Sequence, residues 1–469
     1  MKFVMQGKLG LHDVQTMAQV FFHRIGFEVV DKPPAGGLCL DVRNAGKAVI
    51  ARLYGDGVVL QSFRARIDFD DPSGISRATK LAIYTVLAIH TGHRPPWGLL
   101  TGIRPTKIAA NLHETGLCDA EIQRKLKTYY LVEHNRAALC TRIVSNQQNI
   151  INAVSKNAIS IYVSVPFCPS ICHYCSFSGY PMEKYAKYTD DYISAIIKEI
   201  QHLGHKYRNN YVENIYIGGG TPTALDDAKF EKLLAAIAEN FAADKAMEYT
   251  LEAGRPDTIT LEKLALMRKY GVSRISINPQ TLNDATLEKI GRKHTAAEFV
   301  KAYRMAQWSG FKHINIDLIL GLPNETIDDV RRTLYGIAAL YPKSVTIHTL
   351  AVKRASKLHQ ETEAHIHPEI SQMRNMLEVS VRYMQTLGLE PYYMYRQKNS
   401  PGNFENIGYA ATGYACRYNI RMMEETQSIL AAGAGAVTKL VDPVLNRIER
   451  EFNLRNPVEY IQRSLYNGK

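Results

Sequence analysis

Apolar and polar residues follow one another in two different ways along this chain, and the change comes near residue 155. Ahead of it, residues 12–25 repeat with the period of an amphipathic helix, and residues 38–42, 48–53 and 57–63 read as short strands split by Gly-rich turns. Residues 79–90 carry a second helical pattern and residues 119–144 a third, with Asp119 placed to cap it. These elements predict a separate amino-terminal α/β domain over residues 1–150.

Beyond the change, short β-branched runs alternate with amphipathic helices. Strands are expected to begin at Ile159, Asn214, Tyr249, Arg274, His313 and Ser344, with helices at residues 188–204, 226–241, 261–270, 296–309 and 326–340. Six such steps imply a parallel sheet with right-handed crossovers. A closed eight-unit barrel takes about 250 residues, more than this stretch provides. The prediction is therefore an α/β fold with a partial (β/α)6 barrel over residues 155–355, its active site at the carboxyl ends of the strands. Residues 356–469 are expected to form a mostly helical region covering the substrate, with helices at 367–387 and 444–465.

Composition narrows the class. The chain has 469 residues, 46% hydrophobic and 22% charged, as in globular proteins. No apolar run approaches the ~18 residues of a membrane span. The opening residues carry no apolar signal core, so a cytoplasmic protein is expected. A net charge of +12 suits an anionic partner, while the absence of long like-charge blocks argues against nucleic acid. Of seven cysteines, Cys39, Cys118, Cys140 and Cys416 are scattered and read as reduced thiols.

The other three follow the first barrel strand in Tyr162-Val-Ser-Val-Pro166-Phe-Cys168-Pro-Ser-Ile-Cys172-His-Tyr174-Cys175-Ser-Phe177. Pro166 ends the strand, which puts the cysteines on a loop at its carboxyl end. Structural zinc and ordinary [4Fe–4S] clusters take four ligands. Three thiolates on a four-iron cluster would leave one iron open for a small molecule. Three structural cysteines, or a zinc loop borrowing a distant ligand, are the plainer alternatives.

Each following strand end carries polar or flexible residues. After the second comes Gly218-Gly219-Gly220-Thr221-Pro222-Thr223, which is neither a P-loop nor a dinucleotide fingerprint. Its glycines admit a ligand close to the backbone, or simply a tight turn. The third strand ends at Glu252, whose carboxylate could accept from a ribose hydroxyl or an ammonium. The fourth ends at Asn278-Pro279-Gln280, ahead of Arg292 in Ile290-Gly-Arg-Lys-His-Thr295. The fifth contains Asp317 and the sixth leads through His348 to Ala351. Together they would form a polar ring around the cysteine loop.

These motifs resemble the radical S-adenosylmethionine (SAM) family and, within it, the oxygen-independent coproporphyrinogen III oxidase group. Leu100-Thr-Gly-Ile-Arg104-Pro-Thr-Lys107 resembles the longer branch of that group, typical of Gram-positive anaerobes. The resemblance implies that Cys168, Cys172 and Cys175 hold a [4Fe–4S] cluster. It implies that Tyr162, Gly219, Gly220 and Glu252 bind the SAM on that cluster. It also implies that Tyr174, Thr221, Gln280, Arg292, Asp317 and Ala351 contact a second SAM. The implied reaction converts two propionates of coproporphyrinogen III to vinyls, with an electron donor such as flavodoxin or ferredoxin. A haem-binding or haem-delivery protein, or a SAM-dependent tetrapyrrole-modifying enzyme, would use the same fold. Ser164 stands where the decarboxylating enzymes carry His, and Phe177 where they carry a further Cys. The haem-chaperone relatives share an aromatic at the latter position.

One segment points to an anionic tetrapyrrole on chemical grounds. In Tyr393-Met-Tyr395-Arg396-Gln-Lys398, an extended chain would set aromatic residues on one face and Arg396 with Lys398 on the other. Arg396 would then grip a propionate. The alternative is an edge strand whose basic residues discourage aggregation.

Overall fold

The structure is a computed structural model, and it describes residues 1–22, 26–153, 155, 157–175, 179–351, 369–397, 401–442 and 447–466. It divides into two compact units: Met1–Val144 with Tyr395–Glu405, and Ser145–Met394 with Asn406–Lys469.

The first unit is built on five strands: β1 (Lys2–Gln6), β2 (Glu28–Val29), β3 (Leu38–Asn44), β4 (Ala48–Gly55) and β5 (Val58–Arg66), in the order β2-β1-β3-β4-β5. Helices α1 (Leu11–Phe21) and α2 (Gly74–Thr91) share a core with the sheet through Phe3, Val14, Met17, Leu40, Val42, Leu53, Ile83 and Leu87. The β4–β5 turn carries Asp56 and Gly57 at φ 49° and 81°, the left-handed pair that a two-residue hairpin needs. Strand β1 was not expected, because five residues are too short to show a period. Its pairing with β2 and β3 supplies what local pattern does not.

Residues 119–144 are not one helix. After α3 (Thr106–Glu114), they divide into α4 (Asp119–Thr128) and the start of α5 (His134–Asn152). Between them Leu131 takes φ 57°, and the backbone N–H groups of Leu99 and Glu133 donate to Tyr130 and Pro96. This tertiary pairing overrides the helical pattern. Cys118, not Asp119, occupies the cap position of α4, and Glu121 accepts from its N–H at 2.9 Å.

The second unit begins with β6 (Ala158–Val165), β7 (Phe167–Cys168), β8 (Tyr180–Pro181) and β9 (Tyr211–Gly219). It continues with β10 (Glu248–Glu252), β11 (Arg274–Ser276), β12 (His313–Leu320) and β13 (Ser344–Thr349). Strands β6, β9, β10, β11, β12 and β13 pair in that order, all parallel. Their connecting helices are α6 (Met182–Tyr185), α7 (Thr189–Lys206), α8 (Asp227–Phe241), α9 (Leu261–Lys269), α10 (Asp284–Lys289), α11 (Ala296–Trp308) and α12 (Ile327–Ala338). Local chemistry starts most of them where the sequence reading put them. The side chains of Asp226, Thr260, Asn283, Thr295 and Thr326 each accept a backbone N–H from the first turn that follows.

The six-step barrel is as expected, but the sheet does not stop there. It has eleven strands. The carboxyl-terminal region contributes β14 (Glu390–Arg396), β15 (Glu405–Ala410), β16 (Ser428–Ala432), β17 (Val437–Asp442) and β18 (Arg447–Phe452), beside helices Ile370–Thr386, Arg417–Glu424 and Pro457–Tyr466. Strand β16 runs parallel to β6, and β15 antiparallel to β13. The expected helix over 444–465 is instead a strand followed by a helix, with residues 443–446 outside the described residues. Pairing of β18 with β17 decides that segment.

Helix Arg417–Glu424 sits at the amino-terminal end of the barrel, opposite the cysteine loop. Its Arg421 is fully buried and grips Glu213, in β9, with two bonds of 3.0 Å. Glu248, the first residue of β10, accepts from the backbone of Arg417 and Tyr418. These residues therefore close the barrel floor.

Candidate functional site

Within the barrel strands two kinds of residue alternate. Ile161, Val163, Ile215, Ile217, Ile314 and Ile316 are buried apolar residues between polar ones. The intervening face carries Ser160, Tyr162 and Ser164 on β6, matched in register to Asn214, Tyr216 and Gly218 on β9. Glu252, Ser276, Asn315 and Asp317 continue that face across the sheet. It is knitted by Asn214 to Ser160 at 3.0 Å and Asn315 to Asp317 at 2.7 Å. A purely structural parallel sheet is apolar on both faces; this one has a polar interior.

The cysteine loop lies at the carboxyl end of β6. Strand β7 pairs with β8, and Tyr180 donates to the Pro166 carbonyl at 2.9 Å. The loop is pinned to the Gly-rich turn by Gly220 N–H to Val165 at 2.8 Å and Thr221 N–H to Phe167 at 2.7 Å. It is pinned to the Ile290-Gly291-Arg292 segment by His173 N–H to Ile290 at 2.9 Å. Phe177 lies outside the described residues.

The three glycines have three different protein neighbours. A Cβ on Gly218 would meet the Glu252 carboxylate at 2.8 Å, and one on Gly219 (φ 104°) the Ser164 hydroxyl at 2.9 Å. On Gly220 it would meet the Phe167 carbonyl oxygen at 2.6 Å. The close approach here is thus of backbone to backbone, holding the cysteine loop.

Cys168, Cys172 and Cys175 are cysteines of intermediate exposure. Burial pushes the Cys168 thiol up to about 11, and Cys175 and Cys172 raise it further, while Thr221 donates to its sulfur at 3.6 Å. The burial and the neighbouring thiols that disfavour the Cys168 thiolate are a cost that a multiply charged metal centre relieves. Among the described residues no three His, Cys, Asp or Glu side chains stand at the spacing of a single metal ion. A four-iron cluster is wider than one ion and takes ligands set further apart, so the donor set fits it.

Inside the barrel, Tyr216 donates to Glu252 at 2.6 Å, and Tyr418 reaches up from the floor so that the rings of Tyr162, Tyr216 and Tyr418 cluster with centroids 4.4 to 6.2 Å apart. Burial pushes the Glu252 carboxyl up to about 7, and nearby Asp317 adds to the rise. Asp317 behaves oppositely. Against its burial, His348 at 3.8 Å and Asn315 hold it below the usual carboxylate range. One buried carboxyl is thus poised near neutrality and its neighbour stays ionised.

Gln280 takes φ 71°, a strained conformation for a side chain of this kind. Its backbone bridges β12 by bonds to Asp317 and Ile319, and its amide oxygen is buried without a hydrogen-bond partner. Arg292 donates to the carbonyls of Gly254 and Asn278 and to the Tyr174 hydroxyl at 3.1 Å. Tyr174 packs on Leu287, Ile290, Ile319, Leu322 and Leu350, and Ala351 is buried just beyond. The structure therefore gathers Tyr162, Glu252, Thr221, Tyr174, Arg292, Gln280 and Asp317 at one end of the barrel.

Arg396 is the last residue of β14. It belongs to the first unit, is 2% exposed, donates to the Leu100 carbonyl at 2.6 Å and lies over the Trp97 ring. Its Nε is buried with no hydrogen-bond partner among the described residues. Lys398 lies outside the described residues. The sequence reading did not single out Tyr216, Tyr418 or Arg255. Polar alternation within strands that otherwise read as buried was the signal for the first.

Residues 162–334 match the model of the radical SAM superfamily. Over 97% of this chain, and 94% of its own length, the oxygen-independent coproporphyrinogen-III oxidase-like protein HemZ of Bacillus subtilis is 34% identical. The chain belongs to this coproporphyrinogen-oxidase-like family of radical SAM proteins. The heme chaperone HemW of Bacillus subtilis is 30% identical over 59% of this chain and 70% of that protein. In fold, this radical SAM protein resembles coproporphyrinogen III oxidase (HemN) from Escherichia coli, with a TM-score of 0.56 and 22% identity over 70% of this chain and 73% of that one. Membership of the radical SAM family implies a [4Fe–4S] cluster and SAM. No described helix is long and apolar enough to cross a membrane.

Proposed function

We propose that this protein is a radical SAM oxidoreductase that decarboxylates two propionates of coproporphyrinogen III to vinyl groups, forming protoporphyrinogen IX. The observation that carries the reading is the polar barrel end, where Glu252, Asp317, Gln280 and Arg292 face one three-cysteine loop. The match to HemZ along nearly the whole chain supports the substrate class.

Cys168, Cys172 and Cys175 hold the cluster. With SAM bound, it supplies a 5′-deoxyadenosyl radical by one-electron cleavage of SAM. Glu252, whose burial raises its pKa to about 7, would ionise beside a cationic amine or a hydroxyl donor. Tyr216 fixes the direction of its lone pairs. Gln280 presents an amide oxygen that a donor on a ligand can use. Asp317 keeps its charge and so offers an acceptor for a second set of ligand hydroxyls or an ammonium. Tyr162 and Tyr418 form a flat wall that excludes water. Arg292, engaged with Tyr174 and two carbonyls, positions the loop. Electrons come from a small donor such as flavodoxin or ferredoxin in the cytoplasm.

A second reading, haem binding and delivery, is favoured by the matches to proteins named heme chaperones and by the side chain at position 164. Ser164 donates to the Ala434 carbonyl at 2.9 Å and lies against Gly219, so position 164 contributes no imidazole to the site. Anaerobic incubation with coproporphyrinogen III, SAM and a reductant, followed by mass spectrometry, separates the two. Protoporphyrinogen IX with 5′-deoxyadenosine supports decarboxylation. An unchanged tetrapyrrole, with haem retained and passed to an acceptor, supports delivery.

A further inference from the structure

The residue after Gly254 has a place that the cluster and SAM assignments leave unused. Arg255 is 3% exposed. Its Nε and Nη2 meet the two oxygens of Asp257 at 3.0 Å each, a fork that fixes the guanidinium plane. The remaining nitrogen, Nη1, is thereby aimed into the cysteine loop. It lies 3.2 Å from the Ser170 hydroxyl, 3.4 Å from the Ser170 carbonyl and 3.8 Å from the Cys172 sulfur. An N–H to sulfur contact of that length is a hydrogen bond at sulfur's larger radius.

We infer that Arg255 is a positioning residue that raises the reduction potential of the cluster by donating to the Cys172 sulfur. The inference rests on Cys172 being a cluster ligand. Adding an electron makes the cluster and its thiolates more negative, and a fixed positive donor at one sulfur stabilises that state over the oxidised one. Hydrogen bonds to sulfur are among the terms that set such potentials. Their effect is large where water is excluded.

The surroundings leave this role to Arg255. Arg292, the other buried guanidinium near the loop, directs its N–H groups to Gly254, Asn278 and Tyr174. His294 lies close by, but burial and Arg292 push it down to about 4, so it is neutral and adds no positive charge. Asp257 cancels part of the guanidinium charge and confines its influence to the sulfur it touches. The strand end Glu252-Ala-Gly-Arg255 thus serves two parts of one site. Glu252 faces the barrel interior, and Arg255 reaches round to the loop.

The test is a redox titration of anaerobically reconstituted protein, followed by electron paramagnetic resonance. Wild type, Arg255→Gln, Arg255→Lys and Asp257→Asn are compared. The account expects Arg255→Gln to keep its iron and to be reduced about tenfold less favourably, a midpoint about 59 mV more negative for one electron. Arg255→Lys should recover part of that shift, and Asp257→Asn should move the midpoint the other way. Should Arg255→Gln not assemble a cluster, the Lys and Asn variants decide alone. A wild-type midpoint in every variant that holds iron would overturn the inference. Failure of the cluster assignment itself looks different: wild type would then take up iron independently of Cys168, Cys172 and Cys175.

Discussion

The Tyr216 hydroxyl donates to the Glu252 carboxylate at 2.6 Å, and with the Gly219 backbone it only partly offsets burial for a carboxyl whose neighbour, Asp317, is already charged. The consequence is readable as pH-dependent stability. In the folded chain Glu252 titrates near 7, above the ordinary carboxyl, so between about pH 4.5 and pH 7 the folded state binds more protons than the unfolded one. Stability therefore falls as pH rises through that window, by on the order of 3 kcal/mol, and is flat above it with respect to this group. Glu252→Gln removes the charge and should remove the fall. Urea unfolding of both proteins without SAM at about pH 5 and about pH 8 checks it. Parallel profiles would place the buried charge elsewhere.

Gly220 and Gly179 both border the cysteine loop but differ in what a methyl group would meet. At Gly220 it is the Phe167 carbonyl at 2.6 Å, and at Gly179 the movable end of Ile171 at 3.0 Å. Gly220→Ala should displace the loop at about 1–3 kcal/mol, lowering iron retained after reconstitution roughly tenfold or more. Gly179→Ala should retain iron near the wild-type level. Equal retention in the two variants would mean that the Gly-rich turn does not position the loop.

The floor of the barrel makes a separate prediction about stability. Arg421→Met removes two of the bonds that the Glu213 carboxylate accepts, while Arg417 and Gln427 keep theirs, and costs about 1.5–3 kcal/mol. The double variant with Glu213→Leu should lose less than the two single losses added together, because the two side chains are in direct contact. Chemical denaturation of both single variants and the double measures the difference. Additive losses would show that the pair is not the closing element.

Much of the barrel was legible because its signals are local. Cap residues such as Asp226 and Thr326 open the helices, and apolar runs mark each strand. The cysteine loop was legible from spacing and from Pro166. What was not legible depends on partners far along the chain. Strand β16 is a barrel strand only because it meets β6, some 270 residues earlier, as Ala431 paired with Tyr162 shows. Leu131 breaks a helical pattern because Leu99 needs the Tyr130 carbonyl. Arg396 was read as a rim cation from alternation alone, yet it is buried against Trp97 and Leu100, which no short window could reveal. At Gly218, Gly219 and Gly220 a Cβ would meet Glu252, Ser164 and Phe167, neighbours that no short window could reveal.

The central claim is that Cys168, Cys172 and Cys175 together hold the cluster on which SAM is cleaved. The most direct measurement compares wild type with the triple Cys→Ala variant after anaerobic reconstitution, counting iron and the 5′-deoxyadenosine formed with dithionite. About four irons per chain are expected in wild type, as a [4Fe–4S] cluster requires, with both iron and 5′-deoxyadenosine lost in the variant. Full iron and undiminished SAM cleavage in the triple variant would contradict it.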